Sequence, residues 1–336
     1  MKVSVIGSGS FGTALSSLFA TTYERVHLWV YEDDVYQAIL NLRENVVFMP
    51  GLKLPENIIP TKDMEEATKD ADVIFIVVPS HVVRHVVKQM KPYLSNKTIL
   101  VSVAKGIENE TNLLMAEVVL DVLGKGFEEN VCVLSGPSFA KEVAEKKPTL
   151  VVTASKYPEK ATFIQKNFSS SVFRIYTSDD LIGVELGGAV KNVIAIAAGM
   201  CDGLQLGYNG MAALITRGLA EITRLGVAMG ANPLTFKGLS GLGDLVLTCT
   251  GALSRNRQVG TKLAMGKHIE EIQKEMRMVA EGVKTSRSVY ELSKKYNVSM
   301  PISEQVYKII YEGKTPLEAL QELMLRELKF EREYLL

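Results

Sequence analysis

Lys2-Val3-Ser4-Val5-Ile6-Gly7-Ser8-Gly9-Ser10-Phe11-Gly12 decides the fold. The first five residues form a short apolar strand pattern. Gly7, Gly9 and Gly12 then give G-x-G-x-x-G, and Ala14, Leu15, Leu18 and Phe19 recur at helical spacing. Strand, glycine loop and helix in this order form the context that a dinucleotide fingerprint requires. Gly7 suits the tight turn, Gly9 the close approach of a pyrophosphate, and Gly12 the packing of helix on strand. The phosphates would rest on unpaired N–H groups at the helix N-terminus. The competing reading is a glycine-rich turn that binds nothing.

Outward from this loop, the N-terminal half alternates strand and helix. Val26–Val30, Val73–Val78, Thr98–Val103, Val131–Ser135, Leu150–Ala154 and Val172–Tyr176 read as strands. Asp34–Arg43, Ser80–Met90, Thr111–Val122, Ser138–Glu145 and Glu159–Asn167 read as the intervening helices. Alternation of this kind predicts a parallel, doubly wound sheet. After Ser178 the character changes to helices: Leu181–Met200, Ala212–Met229, Asn256–Met265, Glu281–Tyr296, Ser303–Glu312 and Pro316–Lys329. Pro233, Pro301 and Pro316 stand where helices would begin. The expectation is an α/β Rossmann-type domain over residues 1–178 and an all-α domain over 179–336.

Bulk properties narrow the function. A chain of 336 residues is long for one core, which favours two domains. Lys+Arg and Asp+Glu both number 38, so no basic excess points to nucleic acid. Cys132, Cys201 and Cys249 are odd in number and far apart, which suits buried, reduced thiols rather than a disulfide framework or a zinc site. No His/Asp/Glu/Cys grouping has metal spacing, so no metal is expected. No apolar run is read as a membrane span and no signal peptide is read before the first strand. Together these readings place the protein in the cytoplasm without membrane insertion.

Chemistry-bearing residues cluster at strand ends and in the helical half. Val78-Pro79-Ser80-His81, Ala104-Lys105-Gly106 and Ser135-Gly136-Pro137-Ser138-Phe139-Ala140-Lys141 each close a strand on the side where such sheets bind ligands. In Leu186-Gly187-Gly188-Ala189-Val190-Lys191-Asn192, a Lys and an Asn sit one turn past two glycines, whose small profile would leave their heads a groove. Lys191 otherwise reads as a snorkelling surface lysine. Gly241-Leu242-Gly243-Asp244 adds an acid. Ser254-Arg255-Asn256-Arg257 reads as an N-cap and a first helical turn, a suitable dianion site. His81 reads as a residue lining the cofactor cleft rather than an acid. At the end of the second strand, Tyr31-Glu32-Asp33-Asp34 offers Glu32 to the ribose hydroxyls of NAD, and no Arg or Lys follows it to hold a 2′-phosphate. Glu32 reads equally as part of a solvated helix start.

These segments together resemble the bacterial-type NAD(P)-dependent glycerol-3-phosphate dehydrogenases. The resemblance rests on G-S-G-S-F-G at 7–12, V-P-S-H at 78–81, A-K-G at 104–106 and S-G-P-S-F-A-K-E at 135–142. It continues through G-V-E-L-G-G-A-V-K-N-V at 183–193, T-R-G-L-A-E at 216–221, G-L-G-D-L-V-L-T-C-T at 241–250 and S-R-N-R at 254–257. It implies reversible reduction of dihydroxyacetone phosphate to sn-glycerol 3-phosphate, feeding phospholipid synthesis, with a helical domain of the 6-phosphogluconate dehydrogenase type. By the same resemblance, the catalytic lysine falls on Lys191 and a second active-site lysine on Lys105; Asp244 would orient Lys191 or balance the charge of the pair. Substrate contacts fall on Gly136, Ser138, Asp244, Ser254, Arg255 and Asn256, and the reading of the residues themselves adds Lys105, Lys191 and Asn192. Cofactor contacts fall on Ser10, Phe11, Lys105, Ala140, Arg255, Val279 and Glu281, in addition to Gly7, Gly9, Gly12, Tyr31 and Glu32. Many members carry Arg or His where this chain has Tyr31, and that departure puts the usual NADPH preference in doubt; the cofactor is read as NAD or NADP, with the lean towards NAD resting on Glu32. The segment Glu318–Leu336 mixes apolar and charged residues, which suits either a homodimer contact or a solvated helix. A relative of the 3-hydroxyacid dehydrogenases is the alternative enzyme reading, and a nucleotide-sensing module without turnover is the alternative outside enzymes.

Overall fold

The computed structural model describes residues 1–276 and 279–331. It divides into two compact units. Unit one comprises Met1–Ala104 and Met115–Leu181; unit two comprises Lys105–Leu114 and everything from Ile182 onward.

Unit one is built on an eight-stranded sheet. Its strands are β1 (Val3–Ile6), β2 (Val26–Trp29), β3 (Ile58–Thr61), β4 (Val73–Ile76), β5 (Ile99–Ser102), β6 (Val131–Ser135), β7 (Thr149–Ala154) and β8 (Phe173–Ser178). The spatial order is β3-β2-β1-β4-β5-β6-β7-β8. The first six strands pair in parallel; β7 runs antiparallel to β6, and β8 parallel to β7. Strands β1, β4 and β5 are buried at every residue, which is why they read as unbroken apolar runs rather than alternating ones. Beneath them, Phe75 meets Phe19 and Phe168 at ring-centre distances of 4.7 and 4.8 Å.

Two elements here depart from the reading of the sequence. Strand β3 is absent from it, because Ile58-Ile59-Pro60-Thr61 is short and carries a proline. Proline removes a ladder donor and survives in sheets mainly on an edge, and β3 is an edge strand. The short helix Met64–Thr68 that follows was also not expected; Asp63 caps it, accepting from the Glu65 N–H at 2.8 Å.

Unit two is helical around Leu181–Gly203, a 23-residue helix. By length and composition it is apolar enough to cross a membrane, contrary to the expectation that no such run exists, but 83% of its most apolar window is buried inside the protein. Gly199 and Gly260 let it cross the helix Arg255–Ala264 at backbone contact: a Cβ on either would come within 1.9 Å of a carbonyl oxygen on the other helix. The remaining long helices are Gly207–Ala228, Glu281–Lys295 and Pro301–Tyr311. Pro301 and Pro316 do open helices. Pro233 does not; it precedes only a 3₁₀ turn at Thr235–Lys237. The helix expected over Pro316–Lys329 ends at Met324. The last five residues of the expected Glu318–Leu336 segment, 332–336, lie outside the described residues. The segment Lys105–Leu114, which strand–helix alternation does not separate from the sheet, belongs to unit two. Ile107 and Leu114 bridge to each other and lie in that unit's core, and Ser288 donates to Asn109 Oδ1 at 3.0 Å.

Candidate active site

In unit one the glycine loop is held from both sides. Gly7 has φ +115°, in the left-handed region that favours glycine, and its N–H donates to the Trp29 carbonyl at 3.2 Å. A Cβ on Gly12 would fall 1.9 Å from the Gly7 carbonyl oxygen, so helix and loop can approach only if residue 12 is glycine. At Gly9 a Cβ would meet nothing within 4 Å. The helix Ser10–Phe19 has Gly9 at its N-cap, with no side-chain capping bond and no acid in its first turn, so the positive end of its dipole meets the loop. A close turn, an open face at Gly9 and a helix N-terminus without a side-chain cap fit the pyrophosphate of a dinucleotide.

Two residues that no sequence motif marks, Asn45 and Phe48, brace this loop. Asn45 donates to the Ser8 carbonyl at 2.7 Å and to Thr13 Oγ1 at 2.8 Å, and is fully buried. The Phe48 carbonyl accepts from Ser10 Oγ at 2.8 Å. Neither shares a motif with the loop, so no local pattern marks them. Phe11 is half-buried beside the loop. Tyr31 is 72% exposed just past β2, and Glu32 stands at the N-cap of Asp33–Leu42 without a side-chain capping bond. Gly136 follows β6, Ser138 Oγ donates back to its carbonyl at 3.0 Å, and Ala140 opens the helix Ala140–Ala144. His81 is exposed on the 3₁₀ turn Ser80–Val82.

Unit two brings its chemical groups onto one carboxylate. Asp244, 1% exposed, accepts from Lys191 Nζ at 2.5 Å through Oδ1 and from Lys105 Nζ at 2.7 Å through Oδ2. Lys191 also donates to Thr248 Oγ1 at 2.8 Å. Thr248 carries no motif of its own, but it lies one helical turn past Asp244, where both share a face, and that spacing is its signal in the sequence. The structure also revises the role of Gly187. The space over it is filled by backbone: a Cβ there would meet the Ser240 carbonyl at 2.5 Å. Gly187 thus seats the turn that delivers Asp244, rather than opening a groove for Lys191. Asn192, by contrast, does reach back one turn, to the Gly188 carbonyl at 3.3 Å.

The electrostatics follow from this packing. Burial is the largest influence on Lys191; the adjacent Asp244 carboxylate opposes it and the Lys105 ammonium adds to it, leaving Lys191 at about 8. A lysine so placed exchanges its proton near working pH. Cys249, buried nearby, is pushed up to about 12 by burial and stays a thiol; all three cysteines are buried and free.

A chain of side-chain amides ties these groups to the start of the helix Arg255–Ala264. Asn192 Nδ2 donates to the Lys105 carbonyl at 3.0 Å, Asn256 Nδ2 donates to Asn192 Oδ1 at 2.9 Å, and the Gly282 N–H donates to Asn256 Oδ1 at 2.9 Å. Ser254 caps its helix by accepting from the Arg257 N–H at 3.2 Å. Arg255 is exposed in the first turn and donates to the Val279 carbonyl at 3.2 Å; Glu281 opens the helix that contains Gly282. Among the described residues no group of three His, Cys, Asp or Glu is placed to hold a metal ion.

A mostly parallel sheet carrying a dinucleotide cradle, joined in one chain to a helical unit with a buried lysine and a half-buried one on a single buried carboxylate, defines a Rossmann-type dehydrogenase class. Comparison with known proteins narrows it. The sequence profile of the NAD-dependent glycerol-3-phosphate dehydrogenase N-terminus matches residues 2–161, and that of the C-terminus matches residues 180–321. A protein of Syntrophobacter fumaroxidans named glycerol-3-phosphate dehydrogenase [NAD(P)+] is 51% identical over 331 residues, covering 98% of this chain and 97% of its own. One of the same name from Myxococcus xanthus is 51% identical over 331 residues, covering 98% and 99%. The crystal structure of glycerol-3-phosphate dehydrogenase (gpsA) from Coxiella burnetii superposes with a TM-score of 0.92 at 39% identity, covering 97% of this chain and 99% of that one. The chain belongs to the NAD-dependent glycerol-3-phosphate dehydrogenase family.

Proposed function

We propose that this chain catalyses the reversible, NAD(P)-dependent reduction of dihydroxyacetone phosphate to sn-glycerol 3-phosphate, supplying the backbone of phospholipids. The observation that carries the reading is the Lys191–Asp244–Lys105 cluster, in which Lys191 and Asp244 are buried and Lys191 stands at about 8. The bound nicotinamide supplies the hydride in one direction and accepts it in the other. Gly7, Gly9, Ser10, Phe11 and Gly12 hold the dinucleotide, with Tyr31 and Glu32 at the adenosine end and Ala140, Val279 and Glu281 as further contacts. Lys191 donates a hydrogen bond to the ketone oxygen, then its proton to the forming alkoxide. Asp244 fixes the ammonium's position and offsets the second positive charge; Lys105 adds field where negative charge develops. Arg255, Ser254 and Asn256 take the substrate phosphate at the helix start, and Gly136, Ser138 and Asn192 complete the substrate contacts. For glycerol 3-phosphate oxidation the neutral Lys191 amine accepts the proton instead.

The test is oxidation of NADH or NADPH dependent on dihydroxyacetone phosphate, with a 3-keto acid as control. Turnover of the phosphorylated ketone and not the acid is expected; the reverse preference would assign the chain to hydroxyacid chemistry. We also propose action in the cytoplasm and a homodimer. The exposed Met324, Leu325 and Leu328 offer apolar contact area for the latter, and sedimentation equilibrium measures it.

A further inference from the structure

The lean towards NAD rests on there being no Arg or Lys next to Glu32 in the sequence. The sheet brings a lysine there from another strand. β3 lies parallel beside β2 with Trp29 opposite Thr61, so Lys62 follows directly past the C-terminal end of the pair, where β2 leads into Tyr31 and Glu32. Its backbone is fixed: the Val30 N–H donates to the Thr61 carbonyl at 2.9 Å, and Trp29 Nε1 donates to the Lys62 carbonyl at 3.2 Å. On the following side Asp63 caps a helix. The Lys62 ammonium reaches across to the carboxylate of Asp33, the residue after Glu32.

This pair stands where sheets of this order receive the adenosine ribose, whose 2′ position distinguishes NAD from NADP. The Lys62 side chain is 38% exposed and that of Asp33 87%. Exposed ion pairs contribute little and exchange readily. A phosphate monoester carries more charge than a carboxylate and more acceptor oxygens, so it competes well for the same ammonium. We propose that Lys62 is the specificity residue that binds the 2′-phosphate of NADP(H), leaving Asp33 as it does so. With Asp33 holding Lys62 in the absence of a 2′-phosphate, Glu32 can still accept from the 2′-hydroxyl of NAD. The inference rests on the reading of the glycine loop as the dinucleotide site.

The two partners make opposite forecasts. Titration calorimetry with 2′,5′-ADP and 5′-AMP, which carry the adenosine end with and without the 2′-phosphate, reads binding apart from turnover. Lys62→Gln should weaken 2′,5′-ADP roughly 10-fold, the loss of one charge-assisted bond, and leave 5′-AMP within about twofold. Asp33→Asn should tighten 2′,5′-ADP, because it frees the ammonium and removes a repelling charge. The NADPH to NADH ratio of kcat/KM should fall in the first variant and rise in the second. Equal changes for both ligands, or none for 2′,5′-ADP in either variant, would overturn the role of Lys62. If the wild-type protein binds neither ligand while dihydroxyacetone phosphate is still turned over, the assignment of the glycine loop falls, and the role of Lys62 with it.

Discussion

Lys191 Nζ lies 2.5 Å from Asp244 Oδ1 while Lys105 Nζ lies 2.7 Å from the other oxygen of the same carboxylate. One buried acid thus serves two lysines, where the proposed mechanism places the substrate's reacting oxygen. Burial of Lys191 works against its charge, and Asp244 keeps that charge tolerable. The balance sets when the proton can leave.

It follows that pH divides the two directions of the reaction. Lys191 stands at about 8, against 10.5 for an ordinary lysine. With Lys191 as proton donor, ketone reduction requires the ammonium, so its kcat/KM should hold from about pH 7, where a phosphate monoester is dianionic, and fall as pH rises through about 8. Glycerol phosphate oxidation needs the free amine and should rise across the same interval. Profiles of kcat/KM in both directions check this, since they report groups of the free enzyme. A limb near 10.5 in the reduction profile would show that burial does not govern Lys191.

Asp244→Asn keeps the shape and removes the charge that favours the Lys191 ammonium. The reduction limb should move to lower pH, and maximal turnover should drop on the order of 10²-fold, within the range for disturbed acid–base groups. The same pH profile measured on the variant decides it. An unmoved limb would mean that Asp244 only packs.

Arg255→Ala removes the cation at the start of Arg255–Ala264. For dihydroxyacetone phosphate, kcat/KM should fall steeply. Unphosphorylated dihydroxyacetone should be far less affected, because what is lost is binding energy remote from the reacting carbon. Equal losses for both substrates would remove phosphate recognition from Arg255.

Gly282→Ala tests the amide chain. The added Cβ would stand 2.5 Å from the Asn192 carbonyl oxygen and 2.9 Å from Asn256 Oδ1. Overpacking of this kind costs about 1–3 kcal/mol. Denaturant titration should show that loss, together with reduced kcat, because the bond from Gly282 to Asn256 continues through Asn192 to the Lys105 carbonyl. Unchanged stability and kcat would show that the helix start yields without disturbing the lysines.

Much of this was readable along the chain because it is local. The buried strands β1, β4 and β5 are continuous apolar runs, the glycine loop stands between a strand and a helix, and Ser254 precedes the helix it caps. What escaped depends on contacts distant in sequence or on weak local signals. β3 is four residues with a proline, and its edge position, which excuses the proline, is a property of the finished sheet. Asn45 reaches the glycine loop from a connection 37 residues away. Lys62 comes beside Glu32 only when β2 and β3 pair. Gly187 looked like room for a side chain but admits the backbone of Ser240. Which core Lys105–Leu114 would join is decided by the packing of Ile107 and Leu114, and the alternation of strands and helices carries no mark of it.

The most direct measurement is kcat for dihydroxyacetone phosphate reduction by Lys191→Ala, alongside the dissociation constant for NADH. If Lys191 is the proton donor, kcat should fall by roughly 10²–10⁴-fold while NADH binds as before. Turnover within a few-fold of the wild type, with NADH affinity intact, would contradict that role.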